Sequence, residues 1–342
     1  MRKAFWRDCT LSRFSEIPLA RFLPDGVVPA SVRSIHCGCA SIRTDPSPSV
    51  SSEPLDEIAS LIMHVDTLPS LAGEYWRAFA HSKPGLAYGQ EIPRHTLDVA
   101  ATYVDAQALA RYRSFVGSTE EFPLAYAYVL AQPAHFHLIN QPDFPVRCVG
   151  LVHAENRITR HATIDLSQPL SLSVTVSGDR VRRRGREFTL HTRIVQGGQT
   201  VIDMDSGTFT RVRGAPRDGG AAAESPAAPV TAGETIADLR FAANFGRRYA
   251  RVSGDYNPIH LAGWLARPFG FRRAIAHGVG SMARVDAELG RRSGTPTREL
   301  TVRFRRPVEL PCQTRLHRTA DGGDGYVLAD ANGRELLSGV RR

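Results

Sequence analysis

Lysine is almost missing from this 342-residue chain: Lys3 and Lys83 are the only two, so nearly all of its 43 basic residues are arginine. Set against 34 acidic residues, they leave a formal charge of +9. The arginines are spread along the chain, and no zinc finger, basic helix or RNA-binding aromatic motif accompanies them. The skew therefore reads as an arginine-favouring genome rather than a nucleic-acid surface, although it suits attraction of an anionic, phosphate-bearing ligand. Cysteine is also scarce: Cys9, Cys37, Cys39, Cys148 and Cys312 are odd in number and irregular in spacing, which excludes a secreted disulfide framework. His36-Cys37-Gly38-Cys39 lacks the second ligand pair a zinc site needs. There is no apolar run long enough to span a bilayer and no charged-then-apolar leader. A cytoplasmic location is the expectation.

What is present is a globular composition, 42% hydrophobic and 23% charged. Residues 1–60 lack periodicity and include TDPSPSVSSEP (44–54), which reads as disordered or linker. They are expected to be a non-essential N-terminal extension or an over-extended reading frame, with Met63 as the candidate natural start. Asp8, Glu16 and Asp25 argue against an organellar transit peptide. A second boundary is the Gly/Ala/Pro-rich stretch 214–234, a flexible linker.

The blocks on either side, 61–213 and 235–342, follow one plan. In the first, Tyr112–Ser118 leads to an apolar helical segment at 123–140, then to strand-like runs RCVGLVHAENRI, LSLSVTVSG, EFTLHTRIVQ and QTVIDMDSGTFTRV. In the second, Tyr249–Asp255 leads to a helix over about 278–289, then to ELTVRFRRPVEL, QTRLHRTA, GYVLADA and ELLSGVRR. Each block reads as one long helix followed by antiparallel strands, an α+β pseudo-duplicate. Both helices are apolar on most faces, as buried helices are, and a curved sheet wrapped around each would bury it.

The chemistry gathers in Asp255-Tyr256-Asn257-Pro258-Ile259-His260. Pro258 pushes Asn257 out of helical geometry, so the segment is expected to be a bent loop that lets Asp255 and His260 converge. A carboxylate and an imidazole facing one small volume suit general acid–base work on a water molecule. Seventeen residues on, His277-Gly278 stands where the second helix should begin. Unpaired N–H groups and the helix dipole there can polarise a carbonyl, and Gly278 lets it approach the backbone.

Ser253-Gly254-Asp255-Tyr256-Asn257-Pro258-Ile259-His260, with Gly270-Phe271, Ala276-His277-Gly278 and RFRRPVELP (303–311), resembles the hydratase-2 motif of MaoC-like (R)-specific enoyl-CoA hydratases. The resemblance is best over about 240–312, and the whole chain resembles double-hotdog members, in which two hotdog units form a pseudo-dimer. It implies Asp255 and His260 as the catalytic pair. Asn257 would orient water or His260, and the Gly278 N–H would hold the thioester carbonyl, with Ser253 and His277 in support. The implied enzyme is a hydro-lyase that adds water reversibly across a 2-enoyl thioester to give an (R)-3-hydroxyacyl thioester. It uses no metal or redox cofactor; coenzyme A or an acyl carrier protein is part of the substrate. The protein would be a monomeric pseudo-dimer or a homodimer.

Ala262, Ala274 and Ala283 depart from the family pattern. With the first block, which has Val116-Gly117-Ser118 and no Asn-Pro-x-His, they motivate two alternatives: a non-catalytic acyl-thioester-binding or scaffold protein, and a dehydratase for a branched or dicarboxylic acyl-CoA. The role expected of the first block is structural. Ser177-Gly178-Asp179 reads as a hairpin turn and RVRRRGR (180–186) as a solvated hairpin end, with coenzyme A phosphate contact as the sharper option. His135 and His137 do not share a helix face and are expected in the core or lining a ligand cavity. Gly278-Val-Gly280 lacks the βαβ context of a dinucleotide site.

Overall fold

A computed structural model describes residues 60–342 except Ser82, Val149, Arg183, Arg184 and 215–229. The N-terminal extension, the His36–Cys39 cluster and most of the proposed linker lie outside the described residues. Within them, the element order is β1 (Ile62–Val65), α1 (Leu71–Ala80), β2 (Thr96–Thr102), α2 (Ala106–Val116), α3 (Tyr126–Ile139), β3 (Val152–Arg160), β4 (Leu170–Arg182), β5 (Gly185–Gln196) and β6 (Gln199–Arg211). It continues with β7 (Ala232–Phe241), α4 (Phe245–Ser253), α5 (Pro258–Leu261), α6 (Gly263–Ala266), α7 (Gly278–Ser293), β8 (Glu299–Phe304), β9 (Cys312–Thr319), β10 (Gly325–Asp330) and β11 (Glu335–Val340). Strand β7 takes in the last three residues of the stretch expected as linker.

The strands form one eleven-stranded sheet in the order β1-β2-β4-β5-β6-β3-β8-β11-β10-β9-β7. Its two ends mirror each other. Reading inward, the first half runs β2-β4-β5-β6-β3 and the second β7-β9-β10-β11-β8. In both, the strand before the helices lies outermost and the strand after the long helix lies at the centre. The halves meet where β3 pairs antiparallel with β8, from Glu155↔Arg303 to Thr159↔Glu299. Only β1, parallel to β2 at the edge, has no counterpart.

The long helices α3 and α7 fall where the apolar spacing predicts. Strand β4 alternates buried and half-buried residues from Leu170 to Val176, so one face meets the helices and the other faces out. A single apolar core runs through both halves, from Leu97 and Leu138 to Met282 and Leu328. The Tyr-led frames coincide: Tyr112 of α2 and Tyr249 of α4 are both buried, their rings 6.2 Å apart. Each helix ends on a left-handed glycine, Gly117 (φ 80°) and Gly254 (φ 76°).

Two local expectations differ. Ser177-Gly178-Asp179 is not the hairpin turn; it is a bulge inside β4, where the register with β5 shifts and Gly178 adopts φ 62°. Around that hairpin, Arg182 pairs with Glu187 and Arg186 with Asp179. His260 does not sit in an open loop but on α5, a single helical turn. Pro258 occupies its first position, and Asn257 caps it by accepting from the Ile259 N–H at 3.4 Å.

Candidate active site

Four segments of the second half converge here. Helix α4 stops at Gly254, and the left-handed turn directs Asp255 away from the helix axis. The Ser253 hydroxyl donates to the Tyr249 carbonyl at 2.9 Å and accepts from the Asp255 N–H at 3.2 Å, so Ser253 shapes this turn from within. The next turn presents His260, and extended residues lead to His277, the N-cap of α7. The imidazoles of His260 and His277 stack with centroids 3.7 Å apart.

The hydrogen bonds define the tautomers. His260 donates from Nδ1 to the Ile275 carbonyl at 2.9 Å, which leaves the lone pair on Nε2. His277 donates from Nε2 to the Asp255 carbonyl at 3.0 Å, with the same nitrogen 3.8 Å from Asp255 Oδ1. Its own Nδ1 is buried without a partner. His277 thus ties the Asp255 turn to the start of α7 and backs the His260 ring, a bracing role. Asn257 donates its N–H to Asp255 Oδ1 at 3.1 Å, and its side chain caps α5.

Burial holds the imidazoles neutral. His277 is pushed down to about 3 by desolvation and by His260 beside it, against the opposing pull of Asp255. His260 is lowered for the first of these reasons, while Asp255 and the bond to Ile275 raise it. For Asp255 burial acts upward. The neighbouring imidazoles and hydrogen bonds from Tyr75 and Gln132 outweigh it and hold the carboxyl below its usual range.

Gly278 and Gly280 permit this packing. A Cβ on Gly278 would stand 3.0 Å from the Phe304 ring, and one on Gly280 2.9 Å from the Tyr249 ring. Gly278 opens α7, where N–H groups have no intrahelical acceptor.

Two further contacts come from the half that lacks the motif. The Tyr75 hydroxyl on α1 donates to Asp255 Oδ1, and Gln132 Nε2 on α3 donates to Asp255 Oδ2 at 2.9 Å. Neither was expected. Gln132 carries a legible signal, since an amide in the middle of an apolar helix must find a partner; Tyr75 carries none. His135 and His137 leave α3 in different directions, to Thr192 at 2.7 Å and to Glu74 at 2.8 Å. Among the described residues, no group of three or more His, Cys, Asp or Glu is placed to hold a metal ion.

Residues 226–322 match the MaoC like domain family. The chain is 32% identical over 273 residues to 3-hydroxyacyl-thioester dehydratase X of Mycobacterium tuberculosis, covering 78% of this chain and 94% of the relative. It is also similar to the crystal structure of HtdX of Mycobacterium tuberculosis, with a TM-score of 0.61 and 28% identity over 72% of this chain and 99% of that one. A MaoC-like dehydratase from Phytophthora Capsici shares the fold, with a TM-score of 0.54 and 19% identity over 73% and 96% of the two chains. The likeness extends through both halves of the sheet, and the chain belongs to the MaoC-like dehydratase family, with the double-hotdog fold.

Proposed function

We propose that this hydro-lyase interconverts 2-enoyl and (R)-3-hydroxyacyl thioesters at a single site built on Asp255 and His260. The observation that carries the reading is the His260 imidazole, anchored through Nδ1 so that Nε2 carries the lone pair, in one cluster with Asp255, whose carboxyl is held below its usual range. In hydration, the α7 N-terminus at Gly278 donates its N–H to the thioester carbonyl and draws charge onto its oxygen, which makes C3 electrophilic. A water held by Asp255 adds its oxygen to C3. One water proton passes to His260 Nε2, and a proton from that imidazolium is delivered to C2. Water is thus consumed as OH on C3 and H on C2, and the imidazole ends neutral. Dehydration is the reverse.

The steps are proton transfers and making or breaking one C–O bond, so the reaction calls for neither a redox group nor a Lewis acid. The carrier is coenzyme A or an acyl carrier protein. No helix among the described residues is long and apolar enough to cross a membrane; we place the enzyme in the cytoplasm, acting as a pseudo-dimeric monomer or a homodimer of it. The test is hydration of a 2-enoyl-CoA chain-length panel, followed by loss of the conjugated thioester absorbance. His260→Ala and Asp255→Asn should each lower kcat by about 10²–10⁴. Wild-type turnover in either variant refutes the assigned roles.

A further inference from the structure

We infer that the half without the motif completes the active site: Tyr75 and Gln132 are positioning residues that hold both oxygens of Asp255 and leave one acceptor direction open to water. The inference rests on the role proposed above for Asp255 and extends it to a unit expected to be structural. A carboxylate offers about four acceptor sites. Three are filled, two on Oδ1 by the Tyr75 hydroxyl and the Asn257 N–H, and one on Oδ2 by Gln132. The remaining direction lies on Oδ2. Asp255 then accepts a hydrogen bond from the reacting water and stays ionised, and the transferred proton travels through His260 alone.

The two donors are fixed by packing. Tyr75 lies against Phe136 with centroids 4.9 Å apart. Its helix is tied to α3 one residue earlier, where Glu74 is 3% exposed. Glu74 receives hydrogen bonds from His137 at 2.8 Å and from Asn140 at 2.9 Å. Leu71, at the start of α1, reaches Gly254, where a Cβ would stand 3.3 Å from its methyl group. Gln132 is itself 3% exposed on a helix whose neighbouring turns are apolar. An amide so placed contributes to stability only through its partner, and the partner it finds is Asp255.

The charge environment agrees. The titratable groups facing Asp255 are Tyr75, Tyr128, Tyr249, His153, His260 and His277. None is lysine or arginine. Burial keeps the phenols protonated and His153 and His277 neutral, at about 4 and about 3. Of the three hydrogen-bond donors that help hold the carboxylate charged, two come from outside its own half.

The experiment compares wild type with Tyr75→Phe, Gln132→Leu, the double variant, Gln132→Glu and Asp255→Asn. It records kcat, KM and the acid limb of kcat/KM for hydration of a short 2-enoyl-CoA, with a thermal melt for each protein. Tyr75→Phe keeps the ring that packs on Phe136, and Gln132→Glu keeps the side-chain volume, so at least one variant tests the donors in a folded protein. Expected are a kcat lower by about tenfold in each donor variant with KM within about twofold. The lower-pH ionisation of the acid limb, that of Asp255, should move to higher pH by about one unit in the double variant, because donors to the charged form are lost. Gln132→Glu should move it further, since two adjacent carboxyls share a proton. Inactive Asp255→Asn beside donor variants with wild-type kcat and acid limb overturns this inference and leaves the role of Asp255 standing. Active Asp255→Asn overturns both.

Discussion

Apart from the Asp255–His260 cluster, the two halves are joined by a buried ionic cluster whose removal should have a pH-dependent signature. Arg341, at the C-terminal end of the chain, is 9% exposed and Asp286 on α7 is 3% exposed. Arg341 donates from Nε to Asp286 Oδ1 at 3.1 Å, from Nη1 to Ser293 Oγ at 3.0 Å and from Nη2 to the Thr295 carbonyl at 2.7 Å. Glu120 of the first half closes the cluster. It lies 3.8 Å from Arg341, accepts from Thr297 at 2.8 Å and pairs with Arg160 at 2.9 Å. Arg341→Met keeps the aliphatic stem and deletes the cation. Removing one partner of a buried pair costs about 3–5 kcal/mol when the other stays charged. Asp286 is already pushed up to about 6 by burial, helped by Glu120 and opposed by Thr297 and Arg341. A carboxyl whose folded pKa exceeds its unfolded value adds stability fully below the unfolded value, and that contribution is lost as pH rises through the folded one. In wild type this loss is complete a little above pH 6. Without Arg341 the folded value rises further, so the variant goes on losing stability where wild type has levelled off. Near pH 5 Asp286 is protonated in both proteins, and the gap reduces to the lost hydrogen bonds, about 2 kcal/mol. Near pH 8 the gap should reach the full 3–5 kcal/mol or so. Urea unfolding followed by circular dichroism at the two pH values measures it. A gap that is constant, or that shrinks as pH rises, refutes the reasoning.

Three other perturbations follow from the same structure. Gly246→Ala would place a methyl group against the His260 carbonyl. Helices α4 and α5 must then separate, and activity should fall by about a hundredfold through misplaced geometry while a thermal melt still shows a cooperative fold. Lys83 donates to the Ile139, Gln141 and Phe144 carbonyls at 2.6, 2.6 and 2.8 Å, where α3 ends. Lys83→Met should destabilise by about 2–3 kcal/mol in denaturant unfolding, and Lys83→Arg should not restore it, because a planar fork cannot direct three protons from one point. Because burial lowers the His260 pKa, the neutral base should persist as pH falls through 6.5, and kcat/KM should hold to lower pH than an exposed histidine allows; an acid limb at or above 6.5 would contradict this.

The legible part of the site is the part whose partners are close in sequence. Asp255, Asn257 and His260 are bonded to residues two to fifteen positions away, and His277-Gly278 marks its own helix start. The paired plan of the halves was legible because helix-then-strands is a local pattern. Strands β2 and β7, which begin the matching strand sets of the two halves, carry no such cue. The Tyr75 and Gln132 contacts span 180 and 123 residues, and nothing local to LAGEYWRAFA distinguishes a core tyrosine from one that touches a carboxylate.

The Ser-Gly-Asp triplet shows where local reading stops. It occurs at 177–179 and at 253–255, and both glycines adopt the left-handed backbone, φ 62° and φ 76°. The triplet thus specifies a local turn of the chain in both places. At 254 the glycine ends a helix, and the turn sends Asp255 inward to the junction of the halves. At 178 it interrupts a strand whose neighbours continue pairing, so the excess residue becomes a bulge and Asp179 pairs with Arg186 across the hairpin. The same backbone preference yields an interior carboxylate or a surface ion pair according to the element that precedes it. Asp255 therefore owes its position to α4 and its hydrogen bonds largely to the other half, and a first half without the Asp-x-Asn-Pro-x-His loop is not redundant to a site held in this way.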